Sequence, residues 1–210
     1  MHSVEIRFVE YVKRVNLHIG HEPDAWKLSQ KLGLTVQPGD ESGLDGKVIT
    51  VKRHLYRTRL AQSIIRHEIE QYLLQLSNTE DEIFNLRNSY EEGLPSIEKL
   101  CYHAALILHI EDKHLEQAHA EHGNTPEAIV RIATLAEVSV VEALYRWVYA
   151  QPGCCRAAWI IRGRTVVEVA QSGDWLPFWK YSEVHDPTEE LPNALLYPLA
   201  AQETLGVVSW

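Results

Sequence analysis

The sequence predicts a mixed α+β fold in which helices come first and most strands follow. Apolar residues recur at helical spacing through much of the first 150 residues, most clearly in residues 58–76. After Gln151-Pro152-Gly153, residues 157–161 and 165–169 flank Arg162-Gly163-Arg164, a pattern typical of a β-hairpin. Helices and strands that are segregated along the chain are typical of α+β proteins.

Start and stop signals order the first elements. Residues 6–17 form a first predicted helix, and Glu22-Pro23-Asp24 begins a second one that Gly33 ends. Residues 34–36 and 48–51 are strand candidates because they are rich in β-branched side chains. The Gly-rich and Asp-rich residues between these strands predict a loop.

Two longer helices follow, over residues 58–76 and 96–109, with the polar residues 77–95 between them predicted as loop with one helical turn. A pair of short helices then covers residues 125–149 and resembles a helix-turn-helix, although such pairs are also common packing units. A last strand is predicted over residues 205–210.

Composition and charge exclude several classes of protein. The chain has 210 residues, of which 45% are hydrophobic, so it can bury a sizeable core. Its formal net charge of −9 disfavours direct nucleic-acid binding, because an acidic chain gains nothing from counterion release. The sequence has no signal-peptide pattern and no apolar run near the roughly 20 residues of a membrane helix. With three cysteines, two of them adjacent, a disulfide framework is not expected, and we predict a cytoplasmic protein.

The clearest chemical signal is His67-Glu68-Ile69-Glu70-Gln71 in the predicted helix 58–76. In zincins, two histidines four residues apart on a helix bind one zinc ion, and the glutamate after the first histidine is the general base. His67 and Glu68 fit this pattern, but Gln71 stands at the position of the second histidine. His-Glu alone is a weak signal, since a half-buried histidine on an amphipathic helix is the commoner interpretation.

The sequence around this motif resembles the ImmA/IrrE family of metallopeptidases over roughly residues 10 to 150. Val48-Ile49-Thr50-Val51 and residues 57–68 resemble the strand, the Arg-containing linker and the active-site helix of that family. In the next helix, Glu98 and Tyr102 match a glutamate ligand and an aromatic residue, whereas His103-Ala104 fills a small-residue pair imperfectly.

The resemblance implies three regions. Residues 1–110 would form a mostly helical, zincin-like peptidase core with a small sheet, and residues 111–150 a helix-turn-helix-like region. Residues 151–210 would form a short β-rich region, comparable to the sensor-like tail of some family members.

The resemblance also implies a zinc-dependent hydrolase that cleaves a helix-turn-helix transcriptional repressor and so derepresses stress or mobile-element genes. His67, Gln71 and Glu98 would be the metal ligands and Glu68 the general base. Zinc would be held weakly, because an amide oxygen is a poorer zinc ligand than an imidazole.

Gln71 leaves a second interpretation open, a catalytically impaired relative that binds a partner protein without cleaving it. The retained Glu68 favours the peptidase, since a scaffold needs no general base. His54 and His103 are candidate substitutes for the missing imidazole. However, His103 lies about 140° around the helix from Glu98, and His54 reaches the site only if the linker folds back.

Other residues carry weaker signals. His119 and His122 are three apart but have acidic neighbours, which favours a solvated helix face. Cys101 is expected in the core, and the adjacent Cys154 and Cys155 lack the spacing of a metal-chelating pair. Four tryptophans of the C-terminal region are interpreted as a small core or, alternatively, as a binding surface: Trp159, Trp175, Trp179 and Trp210.

Overall fold

The computed structural model describes residues 3–87, 90–150, 154–173, 176–200 and 202–210, and its fold is α+β as predicted. The chain divides into two compact units, an N-terminal unit that ends at His109 and a C-terminal unit from Ile110 to Trp210. The predicted boundary at residues 151–153 lies outside the described residues. Within the described ranges, no helix is both long and apolar enough to cross a bilayer.

The N-terminal unit combines helices with a small mixed sheet. Its described helices are α1 (Ser3–Ile19), α2 (Ala25–Lys31), α3 (Arg59–Leu76), α4 (Thr79–Arg87) and α5 (Tyr90–His109). Its described strands are β1 (Thr35–Gly39), β2 (Gly43–Asp45) and β3 (Val48–Lys52). In the sheet, β3 is central, parallel to β1 and antiparallel to β2.

One apolar core holds α3 against α5 and the sheet. Ile65, Ile69 and Leu73 follow each other at a spacing of four residues on α3 and are 0%, 0% and 1% exposed. Each such side chain contributes about 1.5–3 kcal/mol when it is fully buried. On α5, Leu100 and Ala104 face the same core. This packing fixes how α3 and α5 present their remaining side chains.

The structure corrects the prediction for residues 77–95. Most of this segment is helical, because α4 follows α3 directly and α5 begins at Tyr90 rather than at residue 96. In α4, Ile83 is buried and Phe84 partly buried, too sparse an apolar stripe to identify a helix from periodicity. Three acidic residues in its first turn favour the helix through its dipole: Glu80, Asp81 and Glu82. Likewise, β2 lies within the predicted loop before β3.

The C-terminal unit contains an antiparallel sheet with the strand order β5-β4-β7-β6. Its described strands are β4 (Arg156–Arg162), β5 (Thr165–Ser172), β6 (Leu195–Pro198) and β7 (Glu203–Ser209). Its described helices are α6 (Asp112–His122), α7 (Pro126–Ala136), α8 (Val140–Val148) and α9 (Pro187–Glu190). The predicted β4–β5 hairpin is confirmed, whereas β6 and α9 were not predicted.

The helices α7 and α8, predicted as a pair, contact each other in the C-terminal unit. Ser139 and Glu142 form the predicted capping box, and α8 packs against β4 and β5. Arg146, the only Lys or Arg of α8, is buried and paired with Asp112. Because its charge is neutralised inside the protein, this arginine does not present a basic surface to DNA.

The described tryptophans of the C-terminal region differ in burial. Trp159 is fully buried and packs edge-on against Phe178, with 5.0 Å between the ring centroids, so the core interpretation is correct for it. Trp179 and Trp210 are 67% and 50% exposed, so the same interpretation is wrong for these two. Trp175 lies outside the described residues.

Candidate metal centre

Helices α3 and α5 bring three predicted metal ligands together, with Gln71 and Glu98 both close to the Nε2 atom of His67. His67 and Gln71 lie one turn apart on α3, and their Nε2 atoms are 3.0 Å apart. Glu98 lies on α5, with its Oε2 atom 3.9 Å from His67 Nε2. The side chains of His67 and Glu98 are 38% and 52% exposed, so solvent and solutes reach this cluster.

Glu68 borders the cluster but is buried. Its Oε2 atom has no hydrogen-bond partner among the described residues. Burial raises the pKa of Glu68, nearby His67 lowers that pKa, and nearby Glu98 raises it. A carboxylate with a raised pKa is a stronger base than an exposed one, as general-base catalysis requires.

His67 and Glu98 lie near enough to share a zinc ion after a small movement. Tetrahedral zinc with bonds near 2.1 Å separates its ligand atoms by about 3.4 Å, so the 3.9 Å between His67 Nε2 and Glu98 Oε2 must shorten for both atoms to bind one ion. Gln71 fits less well. Its amide nitrogen contacts His67 Nε2, and the amide must turn to present its oxygen to a metal. In the described part of the chain, no group of three or more His, Cys, Asp and Glu side chains is placed to hold a metal ion. The donor set therefore fits a weak site.

No histidine replaces the missing imidazole among the described residues. His54 is exposed in the turns between β3 and α3, and His103 is buried in α5. Neither completes a group of three such ligands with His67 and Glu98. His119 and His122 are exposed on α6, as the predicted solvated face requires.

Sequence reasoning missed the burial of Glu70, which is 0% exposed in the core beneath the site. Neither of its carboxylate oxygens has a hydrogen-bond partner among the described residues. Burial raises the pKa of Glu70 well above its usual value, and Arg66, one turn earlier, lowers it. Burial and the charge of Glu70 also raise the pKa of the Cys101 thiol, which lies in the core as predicted. The spacing of four residues between Arg66 and Glu70 indicates that the two side chains are neighbours on α3, but it does not indicate burial.

Comparison with known proteins bears on the fold. No family model and no curated protein matches the chain. A solved structure described as a Mycobacterium tuberculosis transcriptional regulator is similar over 99% of this chain and 75% of that chain, with a TM-score of 0.56 and 12% sequence identity. At this identity the similarity shows a shared fold, and the ImmA/IrrE resemblance stays a prediction from sequence motifs.

Glu70→Gln should change how stability depends on pH. The folded protein holds the Glu70 proton more tightly than the unfolded chain, where a glutamate has a pKa of about 4.3. The contribution of Glu70 to the free energy of unfolding is therefore retained below that pH and lost as pH rises through the raised pKa of the folded state. The amide introduced by the substitution cannot ionise, so the variant should gain stability relative to wild type with rising pH.

Urea denaturation at a series of pH values measures this difference. Glu41→Gln, in an exposed loop of the same unit, is the matched control and should run parallel to wild type. Parallel profiles for Glu70→Gln and wild type would mean that folding does not raise the pKa of Glu70, which would contradict this prediction.

Proposed function

We propose that this chain is a zinc-dependent metallopeptidase of the ImmA/IrrE type that cleaves a helix-turn-helix transcriptional repressor. The observation that carries the proposal is the convergence of His67, Gln71 and Glu98 beside the buried Glu68. Cleavage would derepress stress or mobile-element genes. The reaction would take place in the cytoplasm, where repressors act, and free Cys101, Cys154 and Cys155 suit that compartment.

Each residue of the cluster has a distinct role in the proposed reaction. His67 would hold zinc through Nε2 and Glu98 through its carboxylate, while Gln71 would offer its amide oxygen. Zinc would supply the Lewis acidity that polarises the scissile carbonyl and makes water easier to deprotonate. Glu68 would accept the proton of the attacking water and then donate it to the departing amine.

Gln71 should make zinc binding the limiting step. Loss of a group that only orients a metal ligand costs 10–100-fold in affinity or activity, about 1.4–2.7 kcal/mol. Replacing a ligand should cost at least as much. In addition, the contact between Gln71 and His67 must break before zinc reaches Nε2. We therefore expect activity only when zinc is abundant.

One observation favours a second function, a relative that binds a partner protein without cleaving it. The described residues offer only two ordinary zinc ligands at the site, and the Gln71 amide contacts the nitrogen of one of them. The same side chains, without metal, would form a polar surface beside α3. In that case neither zinc nor Glu68 would matter for function.

Gln71→His should raise zinc affinity at least about tenfold, which corresponds to about 1.4 kcal/mol. The reason is that a second imidazole completes a site of two histidines and one glutamate with one position open for water. Competition with a chromophoric chelator measures the affinity of both proteins. Gln75→His, on an exposed position of α3 one turn further on, is the control and should bind zinc as wild type does. Equal zinc affinity of Gln71→His and wild type would contradict the assignment of Gln71 to the site.

Glu68→Gln should abolish cleavage and leave fold and zinc content nearly unchanged, because the side chain moves protons and does not hold the metal. The assay is co-expression with candidate helix-turn-helix repressors in zinc-supplemented cells, followed by immunoblotting. Glu116→Gln, exposed on α6, is the matched control. Cleavage by Glu68→Gln at the wild-type rate would remove Glu68 as the base. Stable repressor binding without cleavage by wild type would favour the second function.

A further inference from the structure

A cluster of positive charge precedes the candidate site in an otherwise acidic chain. Residues 46–67 contain no Asp or Glu, although the whole chain has a net charge of −9. The Lys and Arg side chains of this stretch are Lys47, Lys52, Arg53, Arg57, Arg59 and Arg66. All of them except Arg66 are exposed.

The cations at residues 52–59, here called the basic segment, are held in an ordered scaffold. Tyr56 packs edge-on against Trp26, with 4.8 Å between the ring centroids, and donates a hydrogen bond to the Val36 carbonyl. The amides of Leu55 and Tyr56 bond to the Lys52 carbonyl. These contacts fix the backbone, so the exposed cations are held near one another before a partner binds. Binding therefore costs less conformational entropy than the ordering of a flexible loop would.

Most of this charge is not neutralised by the protein. Arg53 contacts Asp40 at 3.3 Å, but both side chains are exposed to solvent, where such a pair is weak. Lys52, Arg57 and Arg59 form no ion pair with any acidic side chain that the structure describes. The basic segment can therefore bind a negatively charged partner.

The basic segment leads directly to the candidate site along α3. Arg59 begins the helix, and His67 lies about 12 Å further along its axis at 1.5 Å per residue. Leu60 is 54% exposed and precedes His67 by two turns, so the two side chains share one face of α3. An exposed apolar residue thus lies between the basic segment and the cluster around His67.

We infer that the basic segment docks an acidic segment of the protein substrate, with an apolar substrate residue against Leu60. This inference rests on the proposed function, since it names a recognition element of that substrate. An acidic peptide bound at Arg57 and Arg59 would lead along the exposed face of α3 toward His67. Docking there would place the neighbouring peptide bond at the site before any chemistry occurs.

A short acidic peptide fits this surface better than duplex DNA. The cations of the basic segment are confined to the end of β3, the connection after it and the first turn of α3. Non-specific DNA binding draws its affinity from the neutralisation of many phosphates. A duplex is longer than this patch, so its remaining phosphates would lie beside a protein whose net charge is −9. A peptide can confine its charge to the patch.

Fluorescence anisotropy with the whole chain tests the inference. The probe is a labelled glutamate-rich peptide with central leucines, and the comparison probes are the same peptide with glutamine for every glutamate and a short duplex DNA. Arg57→Glu/Arg59→Glu should weaken binding of the acidic peptide at least about tenfold. Arg14→Glu/Lys113→Glu, with the same change in net charge on exposed positions of α1 and α6, should bind as wild type does.

Each other outcome overturns the inference. Equal binding of the acidic and glutamine peptides would exclude recognition of charge. An equal loss of acidic-peptide affinity in both double variants would mean that only the net charge of the protein matters, and not the position of the basic segment. Tighter binding of duplex DNA than of the acidic peptide would assign the surface to nucleic acid. Circular dichroism and melting confirm that the variants fold, and Arg57→Ala/Arg59→Ala repeats the test without introducing acidic side chains. Peptide binding needs neither zinc nor Glu68. The binding assay can therefore be interpreted even if the chain has no peptidase activity.

Discussion

The packing of α3 against α5 is the constraint on which the candidate site depends. Ile65, Ile69 and Leu73 bury one face of α3 in the core. That face fixes the rotation of the helix, so His67 and Gln71 must emerge beside Glu98 on α5. The same rotation places Glu68 and Glu70 on the inner side, where burial raises the pKa of both carboxyl groups. The carboxylates of Glu68 and Glu70 are thus buried, whereas the carboxylate of Glu98 on α5 is exposed to solvent.

In the proposed function, zinc would compete with the Gln71 amide for His67 Nε2. In this structure His67 Nε2 contacts the Gln71 amide nitrogen, an arrangement that needs no cofactor. An imidazole at the position of Gln71 would strengthen the metal-bound state. A glutamine instead stabilises the metal-free arrangement and offers zinc a poorer donor. Under this proposal, the residue at position 71 would decide whether the same backbone geometry forms a permanent metal centre or one that depends on zinc supply.

Elements could be predicted from the sequence where a residue pattern is typical of one kind of structure. They could not be predicted where the same pattern is compatible with several. The spacing of four between His67 and Gln71 places both on one helix face, and a capping box at Ser139 begins α8 as predicted. By contrast, α4 buries too few apolar residues to show a helical period, and the exposed β6 lacks the alternation of a half-buried strand. The burial of Glu70 follows from the rotation of α3 in the tertiary structure, which polar spacing alone does not reveal. Whether zinc binds depends on energies that no pattern encodes.

The most direct test of the account is to locate zinc in crystals grown with excess zinc, using anomalous differences measured at the zinc absorption edge. We expect one peak bonded to His67 Nε2 and to the Glu98 carboxylate, with the Gln71 amide oxygen turned toward it and Glu68 nearby but not bonded. Bonds should be near 2.0–2.2 Å. The absence of a peak at this cluster, with the contact between Gln71 and His67 retained, would contradict the proposed metallopeptidase.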